Sequence, residues 1–390
     1  MDSGKKGNAE NMGFRMLYLI AIFFVIDGHI PLDGELMNFG GLFRYYSFHM
    51  LLFAFGSGYF FNAERSFRKS LIRDVRHLLV PLYLFNLFYG LLAWALRRFF
   101  GMSLGEPLSL YTLLAAPMLD GQHFSYNVGA WFIGALFLVK LLYRCLYLLC
   151  RRIKAPDVTA FLLSLLVGSL AVLYARSYPV SVFSLPVPLF LLRALILLPG
   201  YALGVFYREH LERLERLLPS VPYLTALLLL RVLFTTLVPE NAYLLSDASY
   251  FPCGPAGIYI GGFLAIAFYL RISCILSPCL VRSPALMYAS RHTLDIMMNH
   301  GLGIFCVNFL FLVLNKFHLG APDFSVSQFR TAQGYTYAPG GAPQWAVLYV
   351  IAGVAFSCAL AWAADRPMWR TPKAWINRHM PFGMQGAKKQ

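Results

Sequence analysis

The sequence predicts an all-α protein, a polytopic helical membrane bundle of about ten transmembrane helices with both termini in the cytoplasm. Of its 390 residues, 58% are hydrophobic and only 13% are charged. The mean hydropathy is +0.60. Soluble domains are about half apolar and about a quarter charged. The apolar residues also fall in runs of roughly 20, the length that a helix needs to cross a bilayer.

Ten such runs follow one another along the chain. They extend over residues 14–31, 42–62, 77–97, 128–150, 157–175, 186–207, 219–238, 254–274, 293–315 and 344–364. We therefore predict one transmembrane domain over 14–365, between a cytoplasmic tail over 1–13 and a basic cytoplasmic tail over 366–390. No small-residue cleavage site follows the first run, so we expect this run to stay as a span.

The basic residues set the predicted orientation. Most of the 33 Lys and Arg residues lie in the two tails and in every second loop. Cytoplasmic loops of membrane proteins carry this excess. The asymmetry also accounts for the net charge of +15, which favours contact with the lipid bilayer over nucleic-acid binding.

Two histidines lie within the first two runs, at His29 and His49. An ionisable ring is costly in hydrocarbon, so each is expected to face protein or a cavity and to be functional. The two spans run in opposite directions, which places both rings in the outer half of the membrane. Imidazole can take a proton from a hydroxyl group and return it. The alternative is that each histidine only braces neighbouring helices by hydrogen bonds.

A basic residue shares the first helix with His29. Arg15 lies about 21 Å from His29 along the helix axis and about 40° around it. This spacing suits an extended donor whose charged head lies in the cytosol. The linker after the second span adds Arg73 and Arg76, which suit phosphate because guanidinium matches its geometry. The alternative for both arginines is a topology signal alone.

Further candidates lie elsewhere in the chain. His300, in the ninth span, either lines the donor channel or packs. Trp131, Tyr335 and Tyr337 suit contact with a sugar, or else anchor the chain at the membrane interface. Asp27 lies on the wrong side of the helix to orient His29, so an ion pair with Arg193, Arg231 or Lys140 is expected. No His or Asp accompanies the cysteines at ligand spacing, and no metal site is predicted.

Several short motifs occur in a characteristic order. They are VIDGHI, FHMLLFAFGSGYFF, HLLVPLYLFN, WFIGALF, LPGYALG and SRHTLDIMMNH. In this order the chain resembles the acyltransferase-3 family of integral membrane acyltransferases, nearest the branch of fucose 4-O-acetylase-like sugar acetylases. The most specific piece, FHMLLFAFGSGYFF, is close to that branch's FHMPLFFFISGYLF. Two positions depart from the family pattern: Tyr18 replaces a basic residue and Leu51 replaces a proline.

The resemblance implies an O-acetyltransferase of a bacterial cytoplasmic membrane. It would move acetyl from cytoplasmic acetyl-CoA to a hydroxyl of an extracytoplasmic or lipid-linked glycan, as in cell-surface polysaccharide modification. On this reading His29 is the general base, His49 orients or stabilises charge, and the CoA phosphates meet Arg15, Arg73 and Arg76. A separate acyl-accepting protein is a further partner that the family suggests. The alternatives are a polysaccharide exporter or flippase, and a membrane sensor or scaffold.

Overall fold

The computed structural model describes residues 3–30, 36–37, 39–102, 105–120, 124, 126–127, 129–178, 187–319, 324–332, 336–340 and 345–364. Helix makes up 78% of the structure, and no strand forms in the described residues. Eight of the described helices are long and apolar enough to cross a membrane. The prediction of a polytopic helical membrane bundle is confirmed.

In the described residues fifteen α-helices form, the longer of which correspond to the predicted spans. They are α1 (Ser3–Asp27), α2 (His49–Tyr59), α3 (Phe67–Asp74), α4 (Val80–Phe100), α5 (Ala116–Leu119), α6 (Ala130–Arg152), α7 (Val158–Ser177), α8 (Leu189–Phe206), α9 (Glu212–Leu217), α10 (Ser220–Leu237), α11 (Gly254–Arg282), α12 (Pro284–Arg291), α13 (Thr293–Lys316), α14 (Val326–Thr331) and α15 (Ala346–Ala364). One-turn π-helices join α3 to α4 and α8 to α9, so Phe67–Phe100 and Leu189–Leu217 are continuous.

Helix α1 lies at the centre of the bundle. It packs against α2, α11 and α13, and its side chains at Leu17, Ile22, Phe24 and Ile26 are fully buried. The apolar part of α1 has hydrophobic side chains on every side, and a helix of this kind is normally surrounded by other helices or by lipid. This central position places the end of α1, and with it His29, inside the protein.

The second predicted span, over 42–62, does not form one long helix. Gly40 and Gly41 have positive φ angles of 67° and 87°, which a glycine adopts without steric cost. A turn and a 3-10 helix then lead into α2, which has only 11 residues. At 1.5 Å per residue α2 is about 16 Å long, roughly half the hydrocarbon core. Its first residue, His49, therefore lies well inside the bundle.

Glycines allow α2 and α8 to pack closely. A Cβ atom on Gly204 would overlap the carbonyl oxygen of Phe55, and one on Gly58 would overlap the carbonyl oxygen of Tyr201. Small residues at such contacts let helix backbones approach each other within a membrane. This interface explains the glycines of LPGYALG and FGSGY in packing terms.

We expect Gly204→Val to destabilise the bundle, because the new side chain must push the α2 backbone away. Overpacking of this kind typically costs about 1–3 kcal/mol. Thermal unfolding of the purified protein in detergent measures the effect. The matched control is Gly134→Ala on α6, where a Cβ atom would lie 3.4 Å from its nearest neighbour, the carbonyl oxygen of Pro117. Equal melting temperatures for the two variants would contradict this account.

The segment between α4 and α6 folds back into the bundle. Phe124 packs against Gly90 on α4, and the backbone of Tyr126 lies against Gly301 on α13. Gly90 precedes the end of α4 by about 15 Å. Asn86 donates hydrogen bonds to the carbonyl oxygens of Thr112 and Leu113, at 2.9 and 3.2 Å. These bonds satisfy backbone groups that the membrane would leave without partners.

The orientation of the bundle remains a prediction from charge. Cysteines placed at Ser66 or Leu211 are expected to react only with cytoplasmic reagent, and one at Ser327 only with external reagent. All three positions are exposed. The labelling is measured in intact cells, with the native cysteines replaced and lysed cells as the reference. External labelling at Ser66 would reverse the predicted topology.

Candidate active site

One cavity contains both of the intramembrane histidines that the sequence singles out. We call it the histidine cavity, and its volume is about 200 Å³. Its walls are Val25, His29, Tyr46, His49, Met50, Gly129, Trp131, Phe132, Tyr243, Leu245, Ser246 and Met297. The end of α1, the start of α2, the start of α6 and the loop between α10 and α11 thus meet here. The predicted convergence of His29 and His49 agrees with this arrangement.

A backbone contact fixes the proton of His29. Its Nδ1 atom lies 2.6 Å from the carbonyl oxygen of Val25, one helical turn earlier. A carbonyl oxygen only accepts hydrogen bonds, so Nδ1 carries the proton in the neutral ring. The lone pair is then on Nε2, and this is the tautomer that a general base requires.

His300 lies against His29. The two ring centroids are 4.9 Å apart with an interplanar angle of 56°. His300 is fully buried, and its Nδ1 atom donates to the carbonyl oxygen of Met297 at 2.8 Å. Its Nε2 atom is buried and has no hydrogen-bond partner in the described part of the chain. The structure therefore pairs His300 with the predicted base, whereas the sequence suggested a place in the donor channel.

Asp27 does not form the predicted ion pair. Its carboxylate oxygens accept hydrogen bonds from the backbone amides of Leu36 and Met37, both at 3.0 Å. The expectation was wrong because the chain turns back after α1 and offers two amide donors close by. Asp27 thereby ties the loop before α2 to the end of α1.

The three basic residues proposed for Asp27 each have other partners. Arg231 donates to the carbonyl oxygens of Leu42 and Gly261, at 2.7 and 3.0 Å, and to Ser47 Oγ at 3.1 Å. Lys140 pairs with Asp74 at 2.8 Å. Arg193 donates to the carbonyl oxygens of Asp120 and Ser246 and lies over the Trp131 ring, 5.1 Å from its centroid. Arg231 and Arg193 thus hold loops on either side of the histidine cavity.

A second, smaller cavity, which we call the basic cavity, has a volume of about 30 Å³. Its lining is Phe60, Phe61, Asn62, Arg65, Phe67, Ser70, Leu71, Arg73, Asp74, Phe137, Lys140, Leu141, Arg144 and Tyr201. Arg144 is structural here, because it donates to the carbonyl oxygen of Asn62 at 2.7 Å and to Ser70 Oγ at 3.1 Å. Arg65 and Arg73 have no carboxylate partner in the described residues, so they are available to an anion.

The other predicted donor residues lie near the basic cavity but do not line it. Arg76 belongs to the π-helical turn Val75–Leu79. Arg15 is half-buried on α1, beside Phe14, whose ring packs 5.3 Å from that of Phe60 at the cavity wall. Of the predicted donor arginines, Arg73 is the one that the structure places in the cavity.

Three aromatic rings pack together beside the histidine cavity, and one of them, Phe132, belongs to its wall. Tyr18 stacks on Phe53 with centroids 5.8 Å apart, and Phe53 lies 5.7 Å from Phe132. We call these residues the aromatic layer. On α6, Phe132 lines the histidine cavity and Phe137 the basic cavity, about 7.5 Å further along the helix. Tyr18 occupies the position where the family pattern has a basic residue.

The predicted sugar-binding residues separate into three cases. Trp131 lines the histidine cavity. Tyr337 is buried in the loop after α14, where its hydroxyl accepts a hydrogen bond from the Ser325 amide at 2.6 Å. Tyr335 lies outside the described residues. In the described part of the chain, no three His, Cys, Asp or Glu side chains are placed to hold a metal ion.

Sequence reasoning did not name Arg144, Tyr243 or Ser246 as site residues, and in the basic linker it chose Arg73 and Arg76 over Arg65. Arg65, Lys140 and Arg144 line the basic cavity, and Tyr243 and Ser246 line the histidine cavity. Lys140 and Arg144 stand four residues apart, hence on one face of a membrane helix, and this spacing was a usable signal. The loop residues carried no comparable pattern.

Comparison with known proteins identifies the family of this chain. The model of an acyltransferase domain family, acyltransferase-3, matches residues 16–362. The chain belongs to the acyltransferase-3 family. The match extends over nearly the whole bundle, from α1 to α15, so both cavities lie within the family domain. No curated protein and no solved structure matches the chain. This acyltransferase-3 protein is a multi-pass membrane protein, and the predicted family membership is confirmed.

Proposed function

We propose that this acyltransferase-3 protein is an O-acetyltransferase that moves acetyl from cytoplasmic acetyl-CoA to a hydroxyl of a glycan. The arrangement of the cavities carries the proposal. The cavity with the arginines and the cavity with two histidines share α6 as a wall, where their lining residues Phe132 and Phe137 are about 7.5 Å apart. The first suits a phosphate-bearing donor and the second suits proton transfer to and from a hydroxyl group.

The donor head would bind in the basic cavity. Arg65 and Arg73 would meet its phosphates, because charge-assisted bonds between guanidinium and phosphate are among the stronger hydrogen bonds. Lys140 remains with Asp74 and Arg144 with the backbone, so these two shape the cavity. The thioester arm would pass the aromatic layer by displacing its rings and present the acetyl group beside His29.

The reaction follows from the tautomer of His29. As the acceptor oxygen bonds to the thioester carbonyl carbon, its proton passes to Nε2 of His29. The carbon–sulfur bond then breaks, and the proton returns from His29 to the sulfur of CoA. His49 would donate a hydrogen bond to the oxygen on which negative charge develops. His300 would steady the protonated ring of His29 through its nearby lone pair.

The acceptor would enter the histidine cavity from the predicted outer side. Trp131, Tyr46 and Tyr243 offer aromatic faces to the C–H surfaces of a sugar, and Ser246 offers a hydroxyl. Aromatic rings with polar atoms suit such amphipathic ligands. A cell-surface polysaccharide of a bacterium, made at the cytoplasmic membrane, fits these features and the sugar-acetylase branch. An exporter would instead need a path wide enough for a whole glycan, which is wider than the path that the thioester arm requires.

Turnover by the purified protein tests the proposal. The protein is reconstituted in vesicles with acetyl-CoA and a polysaccharide or oligosaccharide acceptor, and release of CoA thiol is followed with acetylation of the acceptor. We expect both, in equal amounts, and only when donor and acceptor are present together. Transport of the glycan without thiol release would favour the exporter and contradict the proposal.

The kinetics of a His300→Leu variant distinguish a role of His300 beside His29 from a role in the donor channel. We expect His300→Leu to lower kcat about tenfold, equal to about 1.4 kcal/mol, and to leave the KM for acetyl-CoA unchanged. The reason is that His300 contacts the base and not the basic cavity. Steady-state kinetics at saturating acceptor provide the measurement. A raised KM for acetyl-CoA with an unchanged kcat would instead support a role of His300 in the donor channel.

A further inference from the structure

Two apolar grooves lie along the seam between α4 and α13, two helices that hardly touch. The Lys316 groove has a volume of about 540 Å³ and is walled by Leu96, Phe100, Phe305, Phe309, Leu312 and Phe329. The Asp295 groove, of about 440 Å³, lies nearer the start of α13. Both lie on the surface of the membrane bundle, where hydrocarbon chains are the medium that fills them.

The two grooves differ in charge. Lys316 and Arg330 stand at the first groove, whereas the second contains Asp295 and no basic residue. Neither Lys316 nor Arg330 has a carboxylate partner in the described ranges. Elsewhere the intramembrane basic residues are engaged, as Lys140 is with Asp74 at 2.8 Å. The Lys316 groove therefore combines an apolar trough with two cations that an external anion can reach.

A chain of contacts links the Lys316 groove to the residue next to His300. The Phe305 ring lies 5.9 Å from Phe329 and 5.1 Å from Tyr126. Tyr126 in turn packs with its backbone against Gly301, the neighbour of His300. Phe305 follows His300 by about 7.5 Å along α13. A chain lying in the groove would therefore lie along α13, the helix that carries His300.

We propose that the Lys316 groove binds the acceptor in lipid-linked form, with the hydrocarbon chain in the trough and the phosphate on Lys316 and Arg330. This inference rests on the proposed acyltransferase activity and names its acceptor class. A long chain satisfies the aromatic and aliphatic walls, and a phosphate ester satisfies two unpaired cations. A free, water-soluble glycan has neither a hydrocarbon chain for the apolar walls nor a phosphate for the two cations.

The spacing also limits the glycan. Lys316 lies about 24 Å beyond His300 along α13, so a phosphate at the rim cannot carry the reacting hydroxyl on its first sugar. The acceptor is an oligosaccharide that extends from the phosphate and folds back into the histidine cavity. The oligosaccharide would thus reach the histidine cavity while its lipid stays bound in the groove, and would not need to diffuse in from solution.

Binding of a polyprenyl phosphate to the full-length protein tests the groove. Native mass spectrometry in detergent is used, with phosphatidylglycerol as the competing two-chain phosphate lipid. We expect the polyprenyl phosphate to be preferred, and the double variant Lys316→Gln with Arg330→Gln to bind it about tenfold more weakly. Leu312→Trp, which fills the trough, should weaken binding as well. Equal binding of the two lipids, or no effect of the double variant, would overturn the inference.

Matched controls keep the result specific. Arg98→Gln removes an exposed arginine from the same end of α4 without touching the groove, and Leu166→Trp adds a ring to the exposed face of α7. Neither should change lipid binding. In the turnover assay, the double variant should raise the KM for a lipid-linked oligosaccharide and not that for the same oligosaccharide released from lipid. If the wild type binds the polyprenyl phosphate but acetylates no acceptor, the proposed function fails and the groove stands.

Discussion

His29→Ala is expected to abolish acyl transfer while leaving the protein folded and inserted. The variant removes the ring whose Nε2 atom accepts the hydroxyl proton, and no other described residue of α1 can replace it. General base catalysis contributes about 10²–10⁴-fold to rate, so at least a hundredfold loss of kcat is expected. The measurement is acetyl-CoA-dependent acetylation by equal amounts of purified wild-type and variant protein.

The control for this experiment is His210→Ala. His210 is exposed on the π-helical turn between α8 and α9, where its ring packs on Phe206 at 4.7 Å. It lines neither cavity, so its loss should leave turnover within a factor of about two. If His29→Ala acetylated the acceptor at the wild-type rate, His29 would not be the general base, and its role would be limited to hydrogen bonds that hold neighbouring helices.

Arg73→Gln is expected to raise the KM for acetyl-CoA about tenfold with little change in the KM for the glycan. An exposed charge-assisted bond to phosphate is lost, and a tenfold change corresponds to about 1.4 kcal/mol. Arg76→Gln should have the smaller effect, because Arg76 does not line the basic cavity. Arg15→Gln should be intermediate, since Arg15 lies at the same end of the bundle. Initial rates over a range of donor concentrations measure all three.

The matched control is Arg68→Gln, an exposed arginine of α3 outside the cavity. If the arginines of α3 served only as a topology signal, Arg68→Gln and Arg73→Gln would both reduce correct insertion and neither would change the KM for acetyl-CoA. Protein checked for orientation before the kinetic measurement separates these outcomes. Equal KM values for the two variants would contradict a donor site at Arg73.

Length and hydropathy sufficed to predict most of the fold. Eight membrane-length helices occupy the third to tenth predicted runs, because apolar length is a direct physical requirement of a bilayer. The run over 42–62 was predicted as a span because most of its residues are apolar. Its first part instead forms a turn and a 3-10 helix before α2 begins at His49, and Arg231 binds this part at Leu42 and Ser47. Hydropathy contains no information about those contacts.

The candidate site shows the same division. His29 and His49 could be singled out from the sequence because a titratable ring in a membrane segment is costly wherever it lies. The contact of His29 with His300 was not predicted, because the two residues are 271 positions apart in the chain and only tertiary packing brings them together. Asp27 illustrates the converse: charge alone suggested an arginine partner, yet backbone amides were closer. Side-chain chemistry was predictable from the sequence and side-chain pairing was not.

The aromatic layer has a consequence for the energetics of the cell membrane. Tyr18 stacks on Phe53, and Phe53 packs at a tilt against Phe132, and rings packed in this way disfavour a continuous file of water. On the proposed mechanism this packing would limit proton leakage past the ring of His29. In the proposed reaction an acetyl group moves outward while the proton of the acceptor hydroxyl moves inward on CoA. Turnover is then electroneutral overall, and the equilibrium of the reaction should not depend on the membrane potential.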